Sequence, residues 1–143
     1  MTVVYVALFP DGPLEIADAI QVRHRATFGG ALQVVNRIPG TRPAEFVLVL
    51  GVGGVRRDRV TDVPTLAVEA WAGTRSRASQ IAREVRAVIH SLEGSATASY
   101  AVPEVNEFAG PADLPDPLSS QFRYTATYAV SIRTETIVNI ATQ

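Results

Sequence analysis

The side chains in this sequence that could do chemistry are few, and their spacing argues against most of it. The two imidazoles are His24 and His90. A helical metal site wants two histidines one turn apart, or a histidine completed by nearby carboxylates. No His-x-x-x-His pair exists. There is no cysteine, so disulfides, thiol nucleophiles and zinc–thiolate sites are excluded together. Gly51 and Gly53 have the first spacing of a dinucleotide-binding loop, but the third glycine position holds Arg56 and a strand follows where a helix is required. The chain has no lysine and so no phosphate-binding Walker loop, and it has no Gly-x-Ser-x-Gly nucleophile elbow. Glu104, Glu107, Asp113 and Asp116 are carboxylates expected in contact with solvent, and nothing pairs them for acid/base work. The expectation is a protein without catalysis, cofactor or metal.

Two features remain as candidate contact residues. The first is Arg56-Arg57-Asp58-Arg59, with Arg56, Arg57 and Arg59 at a hairpin tip, suited to a phosphate backbone or an acidic protein surface. The second is GPADLPDPLSSQFRY, in which Pro111, Asp113, Pro115, Asp116 and Pro117 make a stiffened loop over 110–122. Proline restricts the loop before docking and so lowers the entropy cost of binding. A solvated turn and a stiffened crossover loop are the plainer readings of these two segments.

The elements that position them follow from periodicity. VVYVALF, residues 3–9, is a short strand or a buried leader. Pro13, with Asp11 or Gly12 as cap, opens a helix to about Thr27, where Leu14, Ala17 and Ile20 recur at helical spacing and Gly29-Gly30 follow. Leu32–Val35 is a strand candidate. FVLVLGV, within 45–52, and 60–72 form a hairpin with its tip between Gly51 and Asp58, and Gly53-Gly54 end the first strand. In TLAVEAWA, Leu66, Val68 and Ala70 share one face, and Glu69 and Trp71 the other. The strongest helix is Gly73–Leu92, capped by Thr74, with a stripe of Ala78, Ile81, Ala82, Val85, Ile89 and Leu92. His90 lies beside that stripe, as a structural, partly exposed histidine. Ser99–Phe108 is a strand near an edge, because Pro103 cannot donate to a ladder. Arg123–Arg133 is the last strand, with Tyr124, Ala126, Tyr128, Val130 and Ile132 on its apolar face. The order α-β-β-β-α-β-β predicts an α+β fold: a mixed, mainly antiparallel sheet with helices packed on one face.

At 143 residues this is one domain, 1–143, long enough to bury a core. The net charge of −1 gives the whole surface no strong pull on nucleic acid or anionic lipid. No apolar run reaches the roughly 20 residues of a membrane helix, and the start lacks the basic region of a signal peptide, so a soluble, non-secreted protein is expected. All 13 basic residues are arginine, which fits a GC-rich coding bias and also suits interfaces.

Three segments in this order, PAEFVLVLGVGGVRRDRVTD, VEAWAGTRSRASQIAREVRAVIHSL and GPADLPDPLSSQFRY, resemble the tail terminator proteins of long-tailed bacteriophages, especially those of actinobacteria. The resemblance runs from about Pro43 to Arg133. It implies a virion structural protein made in the host cytoplasm and placed at the tail neck. It also implies a hexameric ring of this chain that ends the tail tube and meets the head connector or stopper protein, with DNA passing through its lumen. Residues 134–143 lie beyond the match and are expected as a C-terminal arm that could lie along a neighbour. A neighbouring neck or stopper protein is the alternative of the same kind. A small RNA- or ligand-binding α+β module is the alternative of another kind.

Overall fold

The computed structural model describes residues 2–143. Its elements are β1 (Thr2–Ala7), α1 (Gly12–Phe28), β2 (Gln33–Val35), β3 (Phe46–Arg56), β4 (Thr61–Ala72), α2 (Arg75–Ser91), β5 (Val105–Asp113), β6 (Phe122–Val130), β7 (Ile132–Arg133) and β8 (Ile137–Thr142). The main sheet runs β2-β3-β4-β6-β5, with β7 also paired to β4, and only the β2–β3 pair is parallel. This is the expected mixed, mainly antiparallel α+β fold, with both helices against one sheet face. The order differs from α-β-β-β-α-β-β by a strand at each terminus and by the short β7.

Helix α2 is the spine of the core. Thr74 Oγ1 accepts from the Arg77 amide (3.2 Å) and caps its first turn. Ala78, Ile81, Ala82, Val85, Val88 and Ile89 are buried against the sheet, with Leu92 at the C-terminal end, and Gly94 turns the chain away at φ +82°. Beneath them lie Val47 and Val49 of β3, Leu66, Val68 and Ala70 of β4, and Ala126, Tyr128 and Val130 of β6. Period-two alternation therefore puts one face of every central strand into a single core.

Helix α1 starts where expected: the Asp11 carboxylate accepts from the Leu14 amide (3.2 Å). Its buried face, however, is Ile16, Ala17, Ile20 and His24, and Leu14 is exposed. The helix start fixes this rotation. A Cβ on Gly12 would sit 3.1 Å from Pro64 and 3.2 Å from Ile132, and a Cβ on Gly51 would sit 2.8 Å from Pro13. The close approach of Gly12-Pro13 to the sheet sets the phase, and the 14/17/20 stripe does not.

Three strand boundaries depart from the sequence reading, two of them through irregularity opposite or at proline. Gly53-Gly54 do not end β3. The register passes from Gly51↔Leu66 to Gly54↔Pro64, three residues on β3 against two on β4. This bulge lies where Pro64 has no amide to donate. Gly54 is obligatory there: its φ is +126°, and a Cβ would collide with the Val63 carbonyl oxygen and Pro64 Cα. The true tip is 57–60, and Arg56 belongs to the strand. The fifth strand begins at Val105 rather than Ser99 and extends to Asp113, so Pro103 precedes it and Pro111 and Asp113 lie in the strand, not in a loop. Pro111 is accommodated because β5 is an edge with register shifts between Glu107 and Ala109 and between Ala109 and Ala112. Finally, the last predicted strand divides at Ser131, whose amide leaves the ladder to donate to the Glu104 carbonyl (2.9 Å).

The termini form a two-stranded antiparallel ribbon, Thr2↔Thr142 through Ala7↔Ile137. The start is thus a strand, and it is not a buried leader: Val3, Val4 and Tyr5 are exposed, as are Ile137 and Ile140 on β8. The C-terminal arm pairs with the N-terminus of its own chain.

Candidate functional site

The candidate residues fall into two groups at opposite ends of the sheet. Strand β4 separates them, and its 12 residues span about 35 Å at ~3.3 Å each.

At the first end, Arg56 at the close of β3 and the tip residues Arg57 and Arg59 are at the surface as expected, yet they do different things. Arg57 Nη2 donates to Glu104 Oε2 (3.1 Å) and to the hydroxyl of buried Ser131 (3.2 Å). It therefore clamps the tip to the segment that divides β6 from β7, and it is not a free contact residue. Glu104 is held below its ordinary carboxylate range by the Asn106 amide and by Arg57. Asp58 shapes the turn: its carboxylate accepts from the Val60 amide (2.9 Å), which lowers its pKa. Arg57→Ala is expected to lower stability by about 1 kcal/mol, and Arg59→Ala to stay within about 0.5 kcal/mol of the parent. Urea midpoints that coincide for the two variants would remove the clamp.

Arg56 and Arg59 instead line a groove of about 500 Å³ between the tip and the terminal ribbon. Its other walls are Val4, Tyr5, Val6, Ala7, Val60 and Ile137. Tyr5 is 71% exposed. The sequence reading did not bring the ribbon to the arginines. The missed signal is the pairing of two short, uncharged, apolar segments at the two ends of the chain. A two-stranded ribbon is marginal alone in water, and this one leaves apolar side chains uncovered.

At the second end, the proline-rich connection is only 114–121. Asp113 is on β5 and bridges to Arg75 in the first turn of α2 (3.1 Å). Pro115, Asp116 and Pro117 do lie in the loop. The Asp116 carboxylate accepts from the Leu118 amide (3.1 Å) and its carbonyl from Ser119 (3.3 Å), which closes a tight turn. Leu118, at the apex, is 95% exposed. The loop's return is anchored by Gln121, whose side-chain amide donates to the Pro43 and Ala44 carbonyls (3.0 Å each).

Under this end lies a second apolar cluster on the helix-free sheet face. Phe46 and Trp71 stack with centroids 5.8 Å apart, with Leu48 beside them. Arg42 lies 4.9 Å and Arg123 5.1 Å from the Trp71 ring centroid. Trp71 Nε1 donates to Glu69 Oε1 (3.3 Å). Trp71 is only 2% exposed, so its ring offers no stacking platform to a ligand.

The histidines serve the framework. His24 is buried between the helices, its Nε2 2.9 Å from Glu84 Oε1, a partner sixty residues away that no local spacing reveals. His90 is half exposed and meets Glu107, which also takes a bidentate pair from Arg86 (2.7 and 2.8 Å). The Arg86 bonds come first in holding Glu107 below its ordinary pKa. Among the described residues no cluster of three or more histidine, aspartate or glutamate side chains is placed to hold a metal, and no helix is long and apolar enough to cross a membrane.

The fold and these surfaces define a small α+β protein with an apolar, cationic groove at one end and, at the other, a proline-bearing loop with one acid and an exposed leucine at its apex. No protein-family model matches the chain, and no curated protein matches it significantly.

Proposed function

We propose that this chain is a structural virion protein that caps a phage tail tube at its head-proximal end and joins it to the head connector. It acts there as a homomeric ring around the DNA path. The residue-level resemblance over Pro43–Arg133 supplies the family and the number six. The observation that carries the reading in three dimensions is the opposed placement of the groove and the loop. A ring subunit needs distinct contact surfaces on opposite sides, and this sheet holds two of different chemistry about 35 Å apart. The uncovered terminal ribbon adds apolar surface of the kind that oligomers cover.

The test is direct. Tail tube protein polymerised in vitro with this chain added should stop elongating, and electron microscopy should find a ring at one tube end. Tubes that grow to the same length with and without the chain would remove the reading.

A second reading, a small RNA-binding module, draws on one observation: exposed Tyr5 shares its groove with Arg56 and Arg59, an aromatic beside two cations. It predicts a gel shift with single-stranded RNA that weakens steeply with salt.

A further inference from the structure

We propose that copies of this chain associate head to tail, with the loop at 114–121 of one seated in the groove between the terminal ribbon and the hairpin tip of the next. The groove's apolar walls include Val4, Val6, Val60 and Ile137, and its charged members are Arg56 and Arg59, with no acid among the lining residues. Neither arginine has an ion-pair or side-chain hydrogen-bond partner among the described residues; of the three neighbouring arginines Arg57 alone is so engaged. The segment Asp113-Leu114-Pro115-Asp116-Pro117-Leu118 carries two acids and no base. Asp113 is already bridged to Arg75, which leaves Asp116 as the loop's available negative charge. Its turn holds Leu118 outward, fully presented, and the flanking prolines remove most of the freedom that docking would otherwise cost. An apolar tip beside one acid therefore faces an apolar groove beside two bases.

The two surfaces stand at opposite ends of β4, so no chain can satisfy its own groove with its own loop. The contact is heterologous, and such contacts close into rings or run on as filaments. The inference rests on the ring reading for closure alone; association itself is tested without a tube or a head.

The experiment is sedimentation velocity at low and moderate salt on the full chain and two variants. Leu118→Asp spoils the loop and keeps the groove. Arg56→Glu with Arg59→Glu spoils the groove and keeps the loop. All three positions are exposed, and circular dichroism checks that both variants fold. The parent should self-associate, and each variant alone should do so about 30-fold more weakly or not at all, as for the loss of a central anchor. An equimolar mixture of the two variants should form a one-to-one dimer that does not grow, because only one intact loop–groove pair remains. Three results would overturn the proposal. One is a parent that stays monomeric at high concentration. Another is Leu118→Asp associating like the parent, as a ribbon-to-ribbon contact would allow. The third is a monomeric parent that binds single-stranded RNA through Arg56 and Arg59. Head-to-tail association without any effect on tube growth would instead overturn the terminator reading and leave this one standing.

Discussion

Ile81→Asp is expected to abolish cooperative folding, while Arg83→Asp, two residues further along the same helix, melts like the parent. Ile81 has no exposed surface and sits in the core between α2 and the sheet. Removing it forfeits about 1.5–3 kcal/mol of burial. The carboxylate left in its place costs more than that lost burial. An unpaired charge in an apolar interior is unfavourable by several kcal/mol, or forces protonation. Together these rival the whole net stability of a domain, about 5–15 kcal/mol. Arg83 is exposed on the opposite face, where substitutions usually stay within about 0.5 kcal/mol. Thermal melts by circular dichroism compare the pair. An Ile81→Asp protein that melts within a few degrees of the parent would mean that α2 is rotated from the orientation described.

That helix is legible in the sequence, all but the burial of Val88, because what determines it is local. Thr74 caps it, Gly94 turns the chain after it, and the stripe from Ala78 to Leu92 has one period throughout. Alternation places Leu66, Val68 and Ala70 on one face of β4, and Trp71 on the other, for the same reason. Where the sequence misleads, the determining partner is distant. Helix α1 carries a weaker stripe, so Gly12 and Pro13 set its rotation through contacts with Pro64, Ile132 and Gly51 that no local window contains. Gly53-Gly54 look like a stop, yet they form a bulge because Pro64 lies across from them. Pro111 looks like a loop residue, yet an edge strand with bulges tolerates it.

The contact residues divide along the same line. That Arg56, Arg57 and Arg59 lie at the surface around a hairpin tip follows from charge between two apolar runs. Which of them is free depends on Glu104 and Ser131, 47 and 74 residues from Arg57. The groove is a product of topology, since it exists only because residues 2–7 and 137–142 find each other across the whole chain. The second loop is legible in composition but not in extent. Its prolines are visible, while the continuation of β5 to Asp113 is hidden by Pro111.

Trp71→Ala should be the most damaging substitution outside the helical core, at about 3–5 kcal/mol for loss of a buried tryptophan. Trp71 is the chain's sole tryptophan and ties together several segments at the loop end. It stacks on Phe46 of β3, has the guanidinium groups of Arg42 and Arg123 at 4.9 and 5.1 Å from its ring centroid, and donates to Glu69 on its own strand. Arg123 in turn grips the loop, its Nε donating to the Leu114 carbonyl (3.0 Å), and Arg42 reaches Gln121 (3.4 Å). Each cation–π contact contributes roughly 0.5–1 kcal/mol where partly exposed, so most of the loss is packing. Trp71→Phe retains an aromatic face for Phe46 and both guanidiniums, and should cost well under half as much. Urea midpoints give both differences. The alanine variant should also loosen residues 114–121, seen as faster amide exchange there and at Gln121 than in the phenylalanine variant. If both variants unfold at the same urea concentration as the parent, the cluster on the helix-free face is not a core, and the loop takes its stiffness from its prolines alone.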